Sequence, residues 1–172
     1  MHPLATALPS DKKTILQFNT LGITAGATSH NSWAGLSAND AGASLAQSVF
    51  WTIDSPHGGW DLRVNENSIS RVFSTNAGYN LPATLAISFD PIANEVWGTF
   101  DFGAGAQDTS HFSVLPTTLA AIDRVNLGFD FRDTRGIQLD NISVTTVPLP
   151  AAWTLLLGAV PTLMRRKVKV GA

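Results

Sequence analysis

The residues able to do chemistry in this chain are few and widely spaced. Its four histidines are His2, His30, His57 and His111. None falls in the HxH or HExxH spacing that brings two imidazoles to one metal, so they read as isolated loop and strand-end residues. Cysteine is absent, which excludes disulfides, thiolate catalysis and Cys-ligated zinc. A two-carboxylate glycosidase needs one acid of raised pKa facing a second carboxylate. Glu66 and Glu95 are the only glutamates, turns separate them, and the 11 aspartates offer no preferred couple. No GxSxG elbow, GxxxxGK loop or GxGxxG loop occurs, so neither a serine nucleophile nor a phosphate cradle is indicated. No catalytic residue is assigned, and the chain reads as a non-enzyme.

Two sets of residues carry binding chemistry instead. Near the end of the body, Ile137 and Leu139 are apolar at odd positions while Ile142 and Val144 are apolar at even ones. The parity flips at Asp140-Asn141. A one-residue β-bulge there keeps both pairs facing the core and re-aims Asp140. Calcium takes several hard oxygens, backbone carbonyls included, so Asp140 and Asn141 are the candidate metal ligands. No other cofactor is called for. The second set is aromatic, because flat rings can stack on sugars. Trp33 lies in a Ser/Asn-rich stretch and Trp60 follows Pro56-His57-Gly58-Gly59, so these two are expected to be exposed and to bind carbohydrate. Trp51 belongs to an apolar strand face and is expected in the core.

The elements that must position these residues are strands. Apolar side chains alternate with polar ones at Val49, Trp51 and Ile53, at Trp60, Leu62 and Val64, at Leu85, Ile87 and Phe89, at Val96, Gly98, Phe100 and Phe102, and at Val125, Leu127, Phe129 and Phe131. Further strands are expected at 14–20, 69–74, 111–114 and 136–146, with turns at 65–67 and 90–94. About nine closely spaced strands and no convincing amphipathic helix predict an all-β, antiparallel two-sheet sandwich of jelly-roll type. The stretch from Ala25 to Gln47 is expected to be a long loop of small residues.

Composition agrees. Charged residues make up 14% of the 172 and Glu and Lys are scarce, which disfavours long helices. Residues 1–150 hold seven basic and all 13 acidic residues, a net charge of about −6 without a basic stripe. That makes nucleic acid an unsuitable partner. The remaining cations, Arg165, Arg166, Lys167 and Lys169, cluster at the end. They follow an uncharged run of 18 residues, Val147 to Met164. As a helix this run would span about 27 Å, close to the ~30 Å membrane core. The basic cluster would stay cytoplasmic and the body outside. Pro161 would kink such a helix, which membrane helices tolerate.

Val147, Pro148, Leu149, Pro150 and Ala151, the apolar stretch and the basic end together resemble the PEP-CTERM sorting signal, in its VPLPA variant. Leu139 to Val144 resembles the usual lead-in to it. The resemblance covers roughly the last 30 residues. It implies a Gram-negative bacterium, export through a Sec signal peptide, processing by an exosortase-type membrane protease, and association with exopolysaccharide or biofilm. Leu149 stands where the main family has Glu. At the other end, Ala5-Thr6-Ala7 matches the A-x-A of signal-peptide cleavage sites, without the basic and apolar regions that normally precede it.

The domain reading is therefore a remnant at 1–12, the end of a signal peptide; a β-sandwich ectodomain at 13–146; and a sorting signal at 147–172, with a transmembrane segment at about 149–164. The functional reading is an exported protein that passes through the inner membrane with its ectodomain in the periplasm, then reaches the cell surface or extracellular matrix. Its expected partners are the inner membrane, the exosortase-type protease and polysaccharide. The alternatives are a lectin-like carbohydrate-binding module and a secreted polysaccharide hydrolase.

Overall fold

The computed structural model describes residues 2–4, 8–21, 33–38, 47–54, 59–78, 81–128 and 139–148. Ala5-Thr6-Ala7, His30, His57, the run from Leu149 to Ala151, the proposed transmembrane segment and the basic cluster lie outside them.

Two antiparallel sheets form the body. The first has the order β1-β11-β3-β4-β5-β6. Its strands are β1 (His2–Pro3), β3 (Trp33–Ala38), β4 (Gln47–Asp54), β5 (Gly59–Glu66), β6 (Ile69–Gly78) and β11 (Ile122–Gly128). The second has the order β10-β8-β7-β2-β12, built from β2 (Lys12–Thr20), β7 (Ala83–Asp90), β8 (Glu95–Asp101), β10 (Phe112–Ser113) and β12 (Leu139–Pro148). The two-residue β9 (Gln107–Asp108) pairs with β8. One helical turn and a half, α1 (Pro116–Ala121), precedes β11.

The period-two pattern fills the core. Leu36, Val49, Trp51, Leu62 and Val64 of the first sheet meet Leu16, Phe18, Leu85, Ile87, Phe89 and Val96 of the second, all essentially inaccessible to solvent. The Trp51 indole N–H donates to the Ala86 carbonyl at 2.8 Å, which joins the two layers through the middle of the core. Leu119 of α1 and Ile122 pack into the same cluster.

The turn expected at 65–67 lies at 67–68, with Asn65 and Glu66 in β5, and the turn expected at 90–94 is present. Asn67 and Ser68 both have positive φ (47° and 71°), as a two-residue hairpin of type I′ requires. Between β7 and β8 the Asp90 carboxylate accepts from the Ile92 and Ala93 backbone N–H groups at 3.0 Å each, an Asx-type turn.

Two expectations are corrected. Residues 33–38 are not loop: β3 is a central strand, paired with β11 on one side and β4 on the other. Its small residues concealed it, and they are small for a reason. A Cβ on Gly35 would lie 2.4 Å from the Phe50 Cα. The chain also forms α1, where no helix was expected. Its six residues are too few to show a 3.6-residue period, and Pro116 begins it at a position where the missing N–H costs nothing.

The bulge in β12 is found. Between the pairs Asp140↔Asn19 and Ser143↔Gln17, β12 has one residue more than β2, and Asn141 sits at φ 52°. By register Ile142 and Val144 face inward with Phe18 and Leu16, yet they remain 43% and 40% exposed. Among the described residues β12 is an edge strand with a neighbour on one side only. The strand continues past the expected end at Thr146, so Val147 and Pro148 pair with Lys13 and Lys12. No helix among the described residues is long and apolar enough to cross a membrane.

Candidate functional site

The outward face of the first sheet concentrates polar and aromatic side chains. One register row runs Gly128, Trp33, Thr52, Asp61, Ser74; the next runs Asn126, Gly35, Phe50, Arg63, Val72. The strands that supply the core from one set of alternate positions supply this face from the other.

Trp33 is half-buried and lies across Gly128, where a Cβ would come within 2.1 Å of its Cζ2. Its other neighbour is Phe50, at 6.4 Å between ring centroids and tilted by 52°. Asp61 sits two strands away in the same row, about 10 Å at the usual strand spacing. It is 2% exposed. Its Oδ2 accepts from the Arg63 guanidinium at 3.5 Å, and the Arg63 side chain remains 30% exposed. Side-chain pairs flank this centre: Asn126 donates to Ser37 at 3.3 Å and Asn65 to Ser48 at 3.2 Å.

Two buried polar atoms on this row have no hydrogen-bond partner among the described residues: the indole Nε1 of Trp33 and Oδ1 of Asp61. One is a donor and the other an acceptor. Buried polar groups are nearly always satisfied, so each such orphan calls for an explanation, an ordered water or ion beside it among them. Alternation had placed Asp61 on the polar face of its strand, but only the register brings it into line with Trp33.

The other candidates fare differently. Trp60 is fully buried among the core side chains, so the expectation that it is exposed is corrected. It shares the inward face of β5 with Leu62 and Val64, and a ring enclosed on both sides offers no surface to a sugar. Asp140 is exposed at the bulge, and its carboxylate accepts from the Asn141 backbone N–H at 2.7 Å. No group of three His, Asp or Glu side chains able to hold a metal comes together among the described residues. His111 is not isolated: it stacks on Trp97 at 4.4 Å and 5°, and its Nδ1 lies 2.9 Å from Glu95 Oε2. The ammonium of Lys13 lies 4.2 Å from the centroid of the same indole. Glu66 is engaged through both oxygens, with Arg71 on one and with the Leu115 backbone N–H and the Thr118 hydroxyl on the other.

No family model matches the chain, and no curated protein sequence matches it. Solved structures do. The chain is similar to arcelin-5, a lectin-like defence protein from Phaseolus vulgaris, with a TM-score of 0.53 and 11% identity, over 80% of this chain and 72% of that one. It is similar to an alginate lyase from Pseudomonas aeruginosa, with a TM-score of 0.53 and 12% identity, over 79% of this chain and 65% of that one. A carbohydrate-binding module of a Ruminococcus gnavus sialidase aligns over 86% and 83% at 11% identity, and its TM-score of 0.46 falls short of a shared fold. At these identities the first two establish the two-sheet sandwich and nothing about ligands.

Proposed function

We propose that this chain is an exported bacterial surface or extracellular-matrix protein whose sandwich holds polysaccharide without cleaving it. The observation that carries the binding half is the row Trp33–Thr52–Asp61. There an aromatic ring, an unpartnered indole donor and an unpartnered carboxylate oxygen share one face. A sugar ring offers an apolar face to stack and hydroxyls that both donate and accept. The sandwich common to a lectin-like protein and an alginate lyase is consistent with a polysaccharide ligand. Residues 1–150 carry a net charge of about −6, so neutral polymers are favoured over acidic ones.

The export half rests on the resemblance of Val147–Ala151, the apolar run and the basic end to the VPLPA sorting signal. In this reading the inner membrane is a stage on the route, and an exosortase-type protease releases the body to the surface or matrix.

The test is affinity electrophoresis of the full chain through gels containing neutral or acidic polysaccharides. Retardation is expected in at least one neutral gel. Trp33→Ala is expected to weaken it by about tenfold, the scale of a central aromatic anchor, and Asp61→Asn to weaken it while keeping the side chain's shape. Trp60→Phe should leave it unchanged, because Trp60 is buried in the core. Retardation that survives Trp33→Ala and Asp61→Asn would remove the site. Release of reducing ends from the polymer would instead favour the hydrolase reading.

A further inference from the structure

A recess opens between the second sheet and α1, at the end of the sandwich where β2 begins. It has a volume of about 270 Å³ and is lined by residues of three regions: Leu8 to Ser10 with Lys12 and Thr14, the β7–β8 turn with Phe89, and α1 with Leu119 and Ala120. Its walls are mostly apolar. A cavity of about 150 Å³ holds benzene, so this one has room for about ten carbons.

Four polar residues break the apolar lining: Ser10, Lys12, Thr14 and Asn94. Thr14 is 1% exposed, and its hydroxyl oxygen has no partner among the described residues. Lys12 is exposed and is the single ionisable residue of the lining among the described residues. Along a strand, residues two apart point to the same side about 6.6 Å apart. Lys12 therefore stands on the inward side of β2, one step nearer solvent than Thr14. A mostly apolar chamber with an exposed cation in its lining is complementary to an apolar chain with one anionic end.

We propose that this recess binds a medium-chain carboxylic acid of about eight to ten carbons. The tail lies against Leu8, Phe89 and Leu119, and the carboxylate sits toward Lys12. This site lies between the second sheet and α1, away from the outward face of the first sheet, and stands whether or not that face binds polysaccharide.

Isothermal titration of the full chain with decanoate, kept below its micelle concentration, tests the proposal. Saturable one-to-one binding is expected. Ala120→Phe, on an exposed lining position, should fill the mouth and weaken binding at least tenfold with the melting temperature little changed. Lys12→Gln should weaken decanoate by roughly two- to fivefold, the worth of an exposed ion pair, and leave decanol binding unaltered. Absence of saturable binding would overturn the proposal, as would binding that Ala120→Phe leaves intact. Should Ala120→Phe fail to fold, Lys12→Gln decides alone: equal loss for decanoate and decanol, or no loss for either, defeats the assigned orientation and the site with it.

Discussion

At the scale of single residues, the centre of the molecule turns on one aromatic and one glycine. The Trp51 indole crosses from the first sheet to donate to Ala86 in the second. It occupies the space a side chain at position 98 would need: a Cβ on Gly98 would stand 2.4 Å from Trp51 Cζ2 and 3.1 Å from Leu62 Cδ2. Neither neighbour can retreat, since both are fully buried. Gly98→Ala is therefore expected to destabilise by about 1–3 kcal/mol, the ordinary cost of overpacking a core. That is a fall of roughly 2–12 °C in melting temperature, which thermal circular dichroism would detect; an unchanged midpoint would mean the core yields where the contacts say it cannot. Alternation in β4 was enough to assign Trp51 to the core. The same evidence was present for Trp60, whose neighbours Leu62 and Val64 share its parity, but the Gly-rich approach outweighed it. Asp61 was readable as outward-facing. Its alignment with Trp33 was not, because that depends on pairing between strands 28 residues apart in sequence.

At the scale of elements, the strands with large alternating side chains were legible and the one made of small residues was not. β3 is selected by what its neighbours exclude, namely the close approach of Phe50 to Gly35, and no local pattern reports that. The bulge in β12 was legible because a parity flip is a local signal. The role of Glu66 was not, since its partners come from distant segments. From the β5–β6 hairpin its carboxylate accepts from the Arg71 guanidinium at 3.1 Å, from the Leu115 N–H at 2.6 Å and from the Thr118 hydroxyl at 2.7 Å. Arg71 in turn donates to the Ser113 carbonyl on β10. One glutamate thus ties an edge of the first sheet to the start of α1 and, through Arg71, to the edge of the second. Glu66→Ala would remove the acceptor of the buried Thr118 hydroxyl and of the Leu115 N–H and leave Arg71 hydrogen-bonded to Ser113 alone among the described residues, and hydrogen bonds to a charged group are worth about 1.5–3 kcal/mol. We expect a loss of about 2–4 kcal/mol by urea denaturation, with Glu66→Gln losing less because its amide oxygen can still accept. Equal losses in the two variants would mean that charge, and not the set of hydrogen bonds, holds the latch.

At the scale of the whole molecule, the body and the segment that resembles a sorting signal meet without a spacer. Val147 and Pro148 are the last two residues of β12, in register with Lys13 and Lys12 of β2, and they are also the first two residues of the VPLPA sequence. A protease that binds an extended substrate needs the backbone groups that a sheet already uses. If the motif is processed, the end of β12 must first peel away from β2. That opening is local and at a sheet edge, and such segments lie at the low-stability end of a protein's opening free energies. The rate of processing should then depend on the ladder as well as on the motif. Intact-mass measurement of the chain recovered from a bacterium that carries an exosortase-type protease is expected to show loss of everything after about Val147–Ala151. Placing four Gly/Ser residues between Thr146 and Val147 frees the motif from β2 without altering it, and is expected to increase the processed fraction at early times in a pulse-chase. Processing that is no faster with the spacer would mean the protease acts on the chain before β12 docks. A chain that keeps its Arg165-to-Ala172 end in the inner membrane, with or without the spacer, would mean that the tail is an anchor and that the export route proposed for this protein ends there.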